Sequence, residues 1–283
     1  MPAGGQTTEA PRRIDLLHGG HPHVIASWLV GDVIVDPGPS SCLPRLLEGL
    51  GGREPRALAL THIHLDHAGA AGTLARRFPD LEVWVHERGA RHLADPEKLL
   101  ASAARLYGER MQELWGEVLP VPRERMRVLA GGERAGELVV AYTPGHASHH
   151  VAYLHEASGT AFAGDVAGVR IGTGPVLAPT PPPDIDLDAW RRSLDVLAAW
   201  RPDRLAPTHF GVYEDVEAHL QALREELVRT EESAASLDEA AFAAGLEGRE
   251  RAGADAVDAE AYARALPGDQ SHQGLVRYLE RRR

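Results

Sequence analysis

Residues 61–67, Thr-His-Ile-His-Leu-Asp-His, place three histidines and an aspartate in seven positions, directly after the apolar run Arg-Ala-Leu-Ala-Leu at 56–60. No other stretch limits the fold so strongly: a short buried strand runs out into metal-binding side chains and must end where other loops can reach it. With 15 His in 283 residues, a chance cluster is the plain alternative, and the spacing argues against it. Side chains of an extended segment alternate in direction, so His62, His64 and Asp66 are expected on one face. His67 leaves that alternation where the chain turns into Ala-Gly-Ala-Ala-Gly (68–72), which sends its imidazole toward a neighbouring second metal. The small residues after it let the following helix lie close to the strand.

One segment cannot hold a metal alone, and three later strand ends supply partners. His146 follows a Pro-Gly turn after Glu-Leu-Val-Val-Ala-Tyr, Asp165 ends Thr-Ala-Phe-Ala-Gly-Asp, and His209 ends Asp-Arg-Leu-Ala-Pro-Thr-His. Strand ends are where sites gather in layered α/β folds. Five imidazoles and two carboxylates could form a dinuclear site, with His62, His64 and His146 on one ion, Asp66, His67 and His209 on the other, and Asp165 bridging. Nitrogen and oxygen donors without thiolate suit Zn(II), Mn(II) or Fe(II).

The Thr-His-Ile-His-Leu-Asp-His stretch, Thr-Pro-Gly-His at 143–146, Gly-Asp at 164–165 and Thr-His-Phe-Gly at 208–211, in this order, resemble the metal-binding motifs of the metallo-β-lactamase superfamily. Val-Asp-Pro-Gly around Asp36 resembles that family's first motif. The resemblance covers roughly residues 13 to 211. It implies an α/β fold, a four-layer αββα sandwich with the metals at the rim between two sheets. It also implies the ligand roles given above, with Asp36 orienting the ligand loop from behind.

Two divalent ions, Zn(II) first and Mn(II) or Fe(II) as alternatives, lower the pKa of a shared water. The expectation is hydrolysis of an ester-like bond (lactone, thioester or ester) through a metal-bridging hydroxide, with Asp66 as the catalytic residue that orients it and carries a proton. A phosphodiester ranks lower. A secreted β-lactamase calls for a signal peptide, and the polar start Met1–Arg13 lacks an apolar core of that kind. A tRNA-processing nuclease calls for an RNA surface, which a net charge of -11 disfavours. The helical C-terminal region matches glyoxalase II, but no counterpart of its last metal motif or its glutathione-binding basic residues stands out. Homoserine-lactone lactonases share the ligand spacing, and flavodiiron proteins usually carry Glu where this chain has His64. The alternatives are a mononuclear Fe(II) enzyme resembling persulfide dioxygenases, on His64 or its neighbour, His146 and Asp165, and a non-catalytic metal-binding member.

The rest of the pattern is layered. Strands are expected at 13–18, 23–30 and 32–36, the last two joined by a tight Gly-Asp turn. A Ser-capped helix over 40–50, the strand at 56–60, a helix from 67 to 78 and a strand at 81–86 follow. A helical insert covers about 95–118, four strands lie between 125 and 165, and a Gly/Pro-rich loop spans 169–188 before a helix capped by Asp186 or Asp188; it reads as a surface loop, with lining the mouth of the site, Asp184 or Tyr213 reaching in, as the alternative. The expected division is a catalytic domain over 1–211 and a helical appendage over 212–283, whose charged faces read as solvated but could cap the site or form a homodimer face. Acidic balance, the single Cys42 and the lack of any apolar run near 20 residues point to a cytoplasmic protein with a small-molecule substrate, no nucleic acid and no membrane. The remaining ten histidines read as structural or surface residues. His18, His21 and His23 are taken as a solvated turn ahead of a further metal clip, and Leu106, Tyr107, Met111 and Trp115 as core packing ahead of a lid that gives the substrate an apolar wall.

Overall fold

In the computed structural model, which describes residues 10–282, the apolar runs on either side of Gly31-Asp32 form an antiparallel hairpin of β2 (Ala26–Val30) and β3 (Val33–Val35), with β1 (Arg12–Asp15) outside β2. From β3 onward the sheet turns parallel, and each parallel step requires a crossover. α1 (Leu43–Leu50) carries the chain to β4 (Ala57–Ala59). The single turn α2 (Leu65–Ala68) and α3 (Ala71–Arg77) carry it to β5 (Glu82–His86). Three helices, α4 (Glu87–Ala94), α5 (Glu97–Tyr107) and α6 (Met111–Trp115), carry it to β6 (Met126–Leu129), which pairs parallel with β5. The insert is therefore the β5–β6 crossover, enlarged.

The second sheet runs β11-β10-β9-β8-β7, built from β7 (Arg134–Ala135), β8 (Leu138–Tyr142), β9 (Val151–His155), β10 (Thr160–Phe162) and, after α7 (Leu187–Trp200), β11 (Arg204–Ala206). β11 joins β10 in parallel and the other pairs are antiparallel. With helices outside both sheets, the architecture is the αββα sandwich. Trp28 and Phe162 meet between the sheets with ring centroids 5.9 Å apart, both buried. Each such side chain adds about 2–3 kcal/mol of apolar burial. At the rim two backbone bonds tie sheet to sheet, Val151 N to Thr61 O and Ala26 N to Thr208 O, both 2.8 Å.

Three local expectations change. Ser40 and Ser41 form a 3-10 turn and do not cap α1; Ser41 Oγ donates to Leu114 O instead. The helix expected from 67 to 78 breaks at Gly69–Ala70, because Gly38 and Pro39 pack against the break: Ala70 N donates to Gly38 O and a Cβ on Gly69 would lie 3.1 Å from Pro39 Cα. The Gly/Pro-rich loop is not superficial. Val176–Thr180 is buried, and of the C-terminal helices α8 (Val216–Ser236), α9 (Glu239–Glu250), α10 (Ala256–Ala265) and α11 (Gly268–Arg281) the last two close over this loop. Tyr262 OH accepts from Ile171 N and donates to Pro175 O, and Thr180 Oγ1 donates to Ser271 O. Residues 1–9, which hold most of the polar start, lie outside the described residues; among those described, no helix is long and apolar enough to cross a membrane.

Candidate metal centre

β4 delivers its chain into an extended segment at Thr61–His64, and that geometry carries His62 and His64 to the same place. His62 Nε2 lies 2.9 Å from His64 Nδ1, which lies 3.0 Å from His146 Nε2. Asp66 does not share their face. It sits inside α2, where each residue rotates about 100° rather than 180°, and so turns toward His209 Nε2 (3.3 Å) and His67 Nε2 (3.7 Å). His146 is placed by Gly145, at φ 145°, where a Cβ would fall 2.4 Å from Trp190. Gly164, at φ 48°, plays the same part for Asp165, its Cβ position lying 2.6 Å from Thr61 Oγ1.

Asp165 stands between the two triads. Its Oδ2 is 3.4 Å from His146 Nε2, while Oδ1 is 3.2 Å from His67 Nε2 and 3.7 Å from His209 Nε2. All seven residues singled out in the sequence thus converge, in three groups whose donor atoms lie within 4.8 Å of one another: His62, His64 and His146; His62, His67 and Asp165; Asp66, His67 and His209. Ligands of a tetrahedral ion with bonds of 2.0–2.1 Å sit about 3.3 Å apart. The distances here bracket that value.

Behind the donors a second set of bonds fixes which ring nitrogen is free. Asp36, buried at a left-handed φ of 49° that Asp tolerates, accepts from His67 Nδ1 (2.8 Å), Thr61 Oγ1 (2.7 Å), Thr208 Oγ1 (2.7 Å) and Thr61 N (2.8 Å). His146 Nδ1 donates to Pro179 O at 2.8 Å and His209 Nδ1 to Val24 O at 2.6 Å. With Nδ1 so engaged, each of these three rings turns Nε2, the nitrogen left for a ligand, toward the centre.

Electrostatics match a cation. Burial keeps His62, His64 and His146 below the ordinary imidazole value, His64 at about 4, so the first triad offers neutral nitrogen lone pairs. Burial also opposes protonation of His67 and His209, but Asp165 and Asp66 outweigh it and raise both. Burial works against charge on Asp66 and Asp165 as well, and is overcome chiefly by His67, which holds both carboxyls below their usual range. His67 Nε2 and Asp165 Oδ1 are buried without a hydrogen-bond partner. Orphaned buried donors and acceptors of this kind are expensive, and a bound ion satisfies both. The residues therefore fit divalent metals.

A cavity of about 420 Å³ opens over the centre, reaching His64, Asp66, His146 and Asp165. Its walls come from the insert (Leu99, Leu106, Tyr107, Trp115), the Pro-rich loop and the α10–α11 junction (Leu266, Pro267). His18 is no solvated turn residue: it is buried in this wall, stacked on Trp115 at 5.4 Å. His23 Nδ1 and His21 Nδ1 pair with Asp258 (2.7 Å) and Glu260 (3.3 Å) of α10. Tyr213 does not reach in; its hydroxyl donates to the Phe210 and Arg170 carbonyls.

A family profile described as the metallo-beta-lactamase superfamily matches residues 20–209. The chain belongs to the metallo-β-lactamase superfamily. Among solved structures, the superfamily protein ST1585 of Sulfolobus tokodaii shares the fold with a TM-score of 0.70 and 21% identity, over 95% of this chain and 98% of that one. TTHA1623, solved in a di-iron-bound form, matches with a TM-score of 0.54 and 26% identity over 75% and 92% of the two chains. A hydroxyacylglutathione hydrolase of Yersinia enterocolitica is 30% identical over 131 residues, 44% of this chain and 41% of that enzyme. The chain spans two thirds or less of the curated relatives it matches, from 24% to 65% of their length.

Sequence reasoning missed Thr61 and Thr208. A signal was present, since each immediately precedes a candidate ligand in a Thr-His pair. It also missed the carbonyls of Val24 and Pro179, for which a sequence carries no mark.

Proposed function

We propose that this superfamily member is a dinuclear metal-dependent hydrolase of an ester-like bond, in a small-molecule substrate with an apolar body. One observation carries the reading: the two oxygens of Asp165 face separate triads beneath a largely apolar cavity. His62, His64 and His146 would hold one ion, Asp66, His67 and His209 the other, with Asp165 shared. Two ions so held would supply an acidified water and polarisation of the carbonyl under attack. Asp66 is the group placed to move a proton. Its side chain is 25% exposed toward the cavity, whereas those of His67, His146, Asp165 and His209 are at most 4% exposed. It orients the attacking water and passes its proton to the leaving atom. The apolar walls exclude bulk water and align the substrate. Two complete triads favour this reading over a single Fe(II), and the cavity favours catalysis over a closed structural site. The same reading takes Zn(II) as the native ions and the cytoplasm as the setting.

The test is metal content by plasma mass spectrometry with rates on lactones, thioesters and esters, for the wild type and Asp165→Ala. Two ions per wild-type chain are expected, with ions and hydrolysis lost together in the variant. Activity surviving Asp165→Ala, or one Fe per wild-type chain with oxygen uptake on persulfides, would overturn the proposal.

A further inference from the structure

A second cleft, of about 770 Å³, also reaches His64. The two spaces share His64, Leu99, Ser102 and Pro183, so they meet at the metal centre. Their chemistry differs. The first is walled mainly by Leu, Pro, Ala, Tyr and Trp, and its two arginines, Arg110 and Arg264, are paired with Glu113 (3.6 Å) and Glu260 (3.1 Å); the second is walled by Arg88, Arg91 and Lys98, with Glu87, His92, Ser148, His149 and Asp184. None of the three cations forms an ion pair among the described residues. Arg88 lies over the Tyr142 ring at 5.7 Å, and Arg91 Nε donates to His92 Nε2 at 3.0 Å. Burial, with Arg91 beside it, keeps His92 below its ordinary value, so it adds no charge at neutrality. Of the two carboxylates, Glu87 occupies the first turn of α4, where a helix N-terminus suits it, and Asp184 accepts from Ser148 Oγ at 2.6 Å. A local cationic excess beside the reacting centre stands out in a chain of net charge -11. Lys98 is moreover the only lysine in the sequence.

We propose that this cleft receives the anionic leaving group of a substrate whose apolar acyl half fills the first cavity. The inference rests on the hydrolase reading above and supplies its substrate class: an apolar acyl ester or thioester of a phosphate- or carboxylate-bearing alcohol or thiol. In the reaction the water oxygen bonds to the acyl carbon and the bond from that carbon to sulfur or oxygen breaks. The electron pair leaves with the heteroatom, the water proton reaches it through Asp66, and acid and free thiol or alcohol result. The anion on the leaving half stays against Arg88, Arg91 and Lys98 while the bond is aligned. Exposed cations of this kind act mainly on capture, and salt screens them.

Three octanoyl thioesters differing only in the thiol test this with the metal-replete full chain: coenzyme A (phosphates), glutathione (carboxylates) and N-acetylcysteamine (uncharged). The expected result is a kcat/KM about tenfold or more higher for an anionic ester than for the neutral one, erased by high salt. Arg88→Ala/Arg91→Ala/Lys98→Ala should collapse that ratio through KM, and the preferred arm identifies phosphate or carboxylate. Equal rates on all three esters in the wild type, or an unchanged ratio in the triple variant, would overturn the proposal. A second readout needs no turnover: reductive ¹³C-methylation labels Lys98 and no other side-chain amine, and its NMR signal should move when free coenzyme A or glutathione is added. A moving signal with no hydrolysis of any thioester removes the hydrolase reading and leaves the anion site. Hydrolysis without preference and with a still signal removes the cleft proposal alone.

Discussion

Asp36→Asn keeps the shape of a buried side chain and changes one oxygen into a donor. Four donors converge on Asp36, and they are not equivalent. The Thr61 N–H on Oδ1 cannot reorient, whereas the Thr61 and Thr208 hydroxyls on Oδ2 can turn and accept. The asparagine therefore settles with its carbonyl toward Thr61 N and its NH₂ toward the hydroxyls and His67 Nδ1. That ring must then accept at Nδ1 and carry its proton on Nε2, where Asp165 Oδ1 waits at 3.2 Å. A metal has to displace that proton. Losing such a supporting bond costs about 10- to 100-fold in metal affinity, equivalent to about 1.4–2.8 kcal/mol. The lost charge-assisted bond removes about 2 kcal/mol of stability, or about 4–8 °C in Tm for a chain of this size. Stepwise zinc titration against a chromophoric chelator should show the site of Asp66, His67 and His209 weakened by that factor and the His62, His64, His146 site less affected. Long-range ¹⁵N–¹H NMR on the metal-free variant should show His67 protonated at Nε2. Two ions bound with wild-type affinities would refute the reasoning, as would a weakened site with the His67 proton still on Nδ1.

Two further outcomes follow from the packing. Burial, with Arg170 adding to it against the Ala167 carbonyl and Asp215, lowers His219 to about 4. Below the unfolded value near 6.5 the unfolded chain takes up a proton that the folded chain refuses, so stability falls between pH 6.5 and about 4, by an amount on the order of 3 kcal/mol; in His219→Gln, denaturant midpoints across that window should fall less steeply. Trp115→Ala removes the wall stacked on His18 and edge-on to Tyr107 at 4.9 Å; because Trp115 sits in a small cluster outside the main core, stability should fall less than the 3–5 kcal/mol usual for Trp→Ala, while acyl preference, read as kcat/KM over a series of chain lengths, should move to longer chains.

What was legible in the sequence is what a short segment specifies by itself. Alternation over Thr61–His64 and the order of four strand ends were enough to gather His62, His64, Asp66, His67, His146, Asp165 and His209. Alternation misplaced Asp66, because one helical turn at Leu65–Ala68 is too short to announce itself by periodicity. Partners that depend on a distant backbone group, such as Val24 O for His209, leave no trace in composition. The Pro-rich loop read as superficial because its own residues give no sign of Tyr262 and Ser271, more than 80 positions away, closing over it.

The metal centre and its wall belong to different moments in the life of the chain. The last candidate ligand is His209, while Ala263–Ser271 complete the cavity. At ribosomal speeds of about 5–20 residues per second, those residues emerge about 3–12 s after the ligand set is complete. For that interval the chain holds all seven donors without the complete wall that chooses among substrates. The same separation makes the two properties independently variable over evolutionary time: changes in the tail can redirect what is admitted while the seven donors, all fixed before it, go untouched.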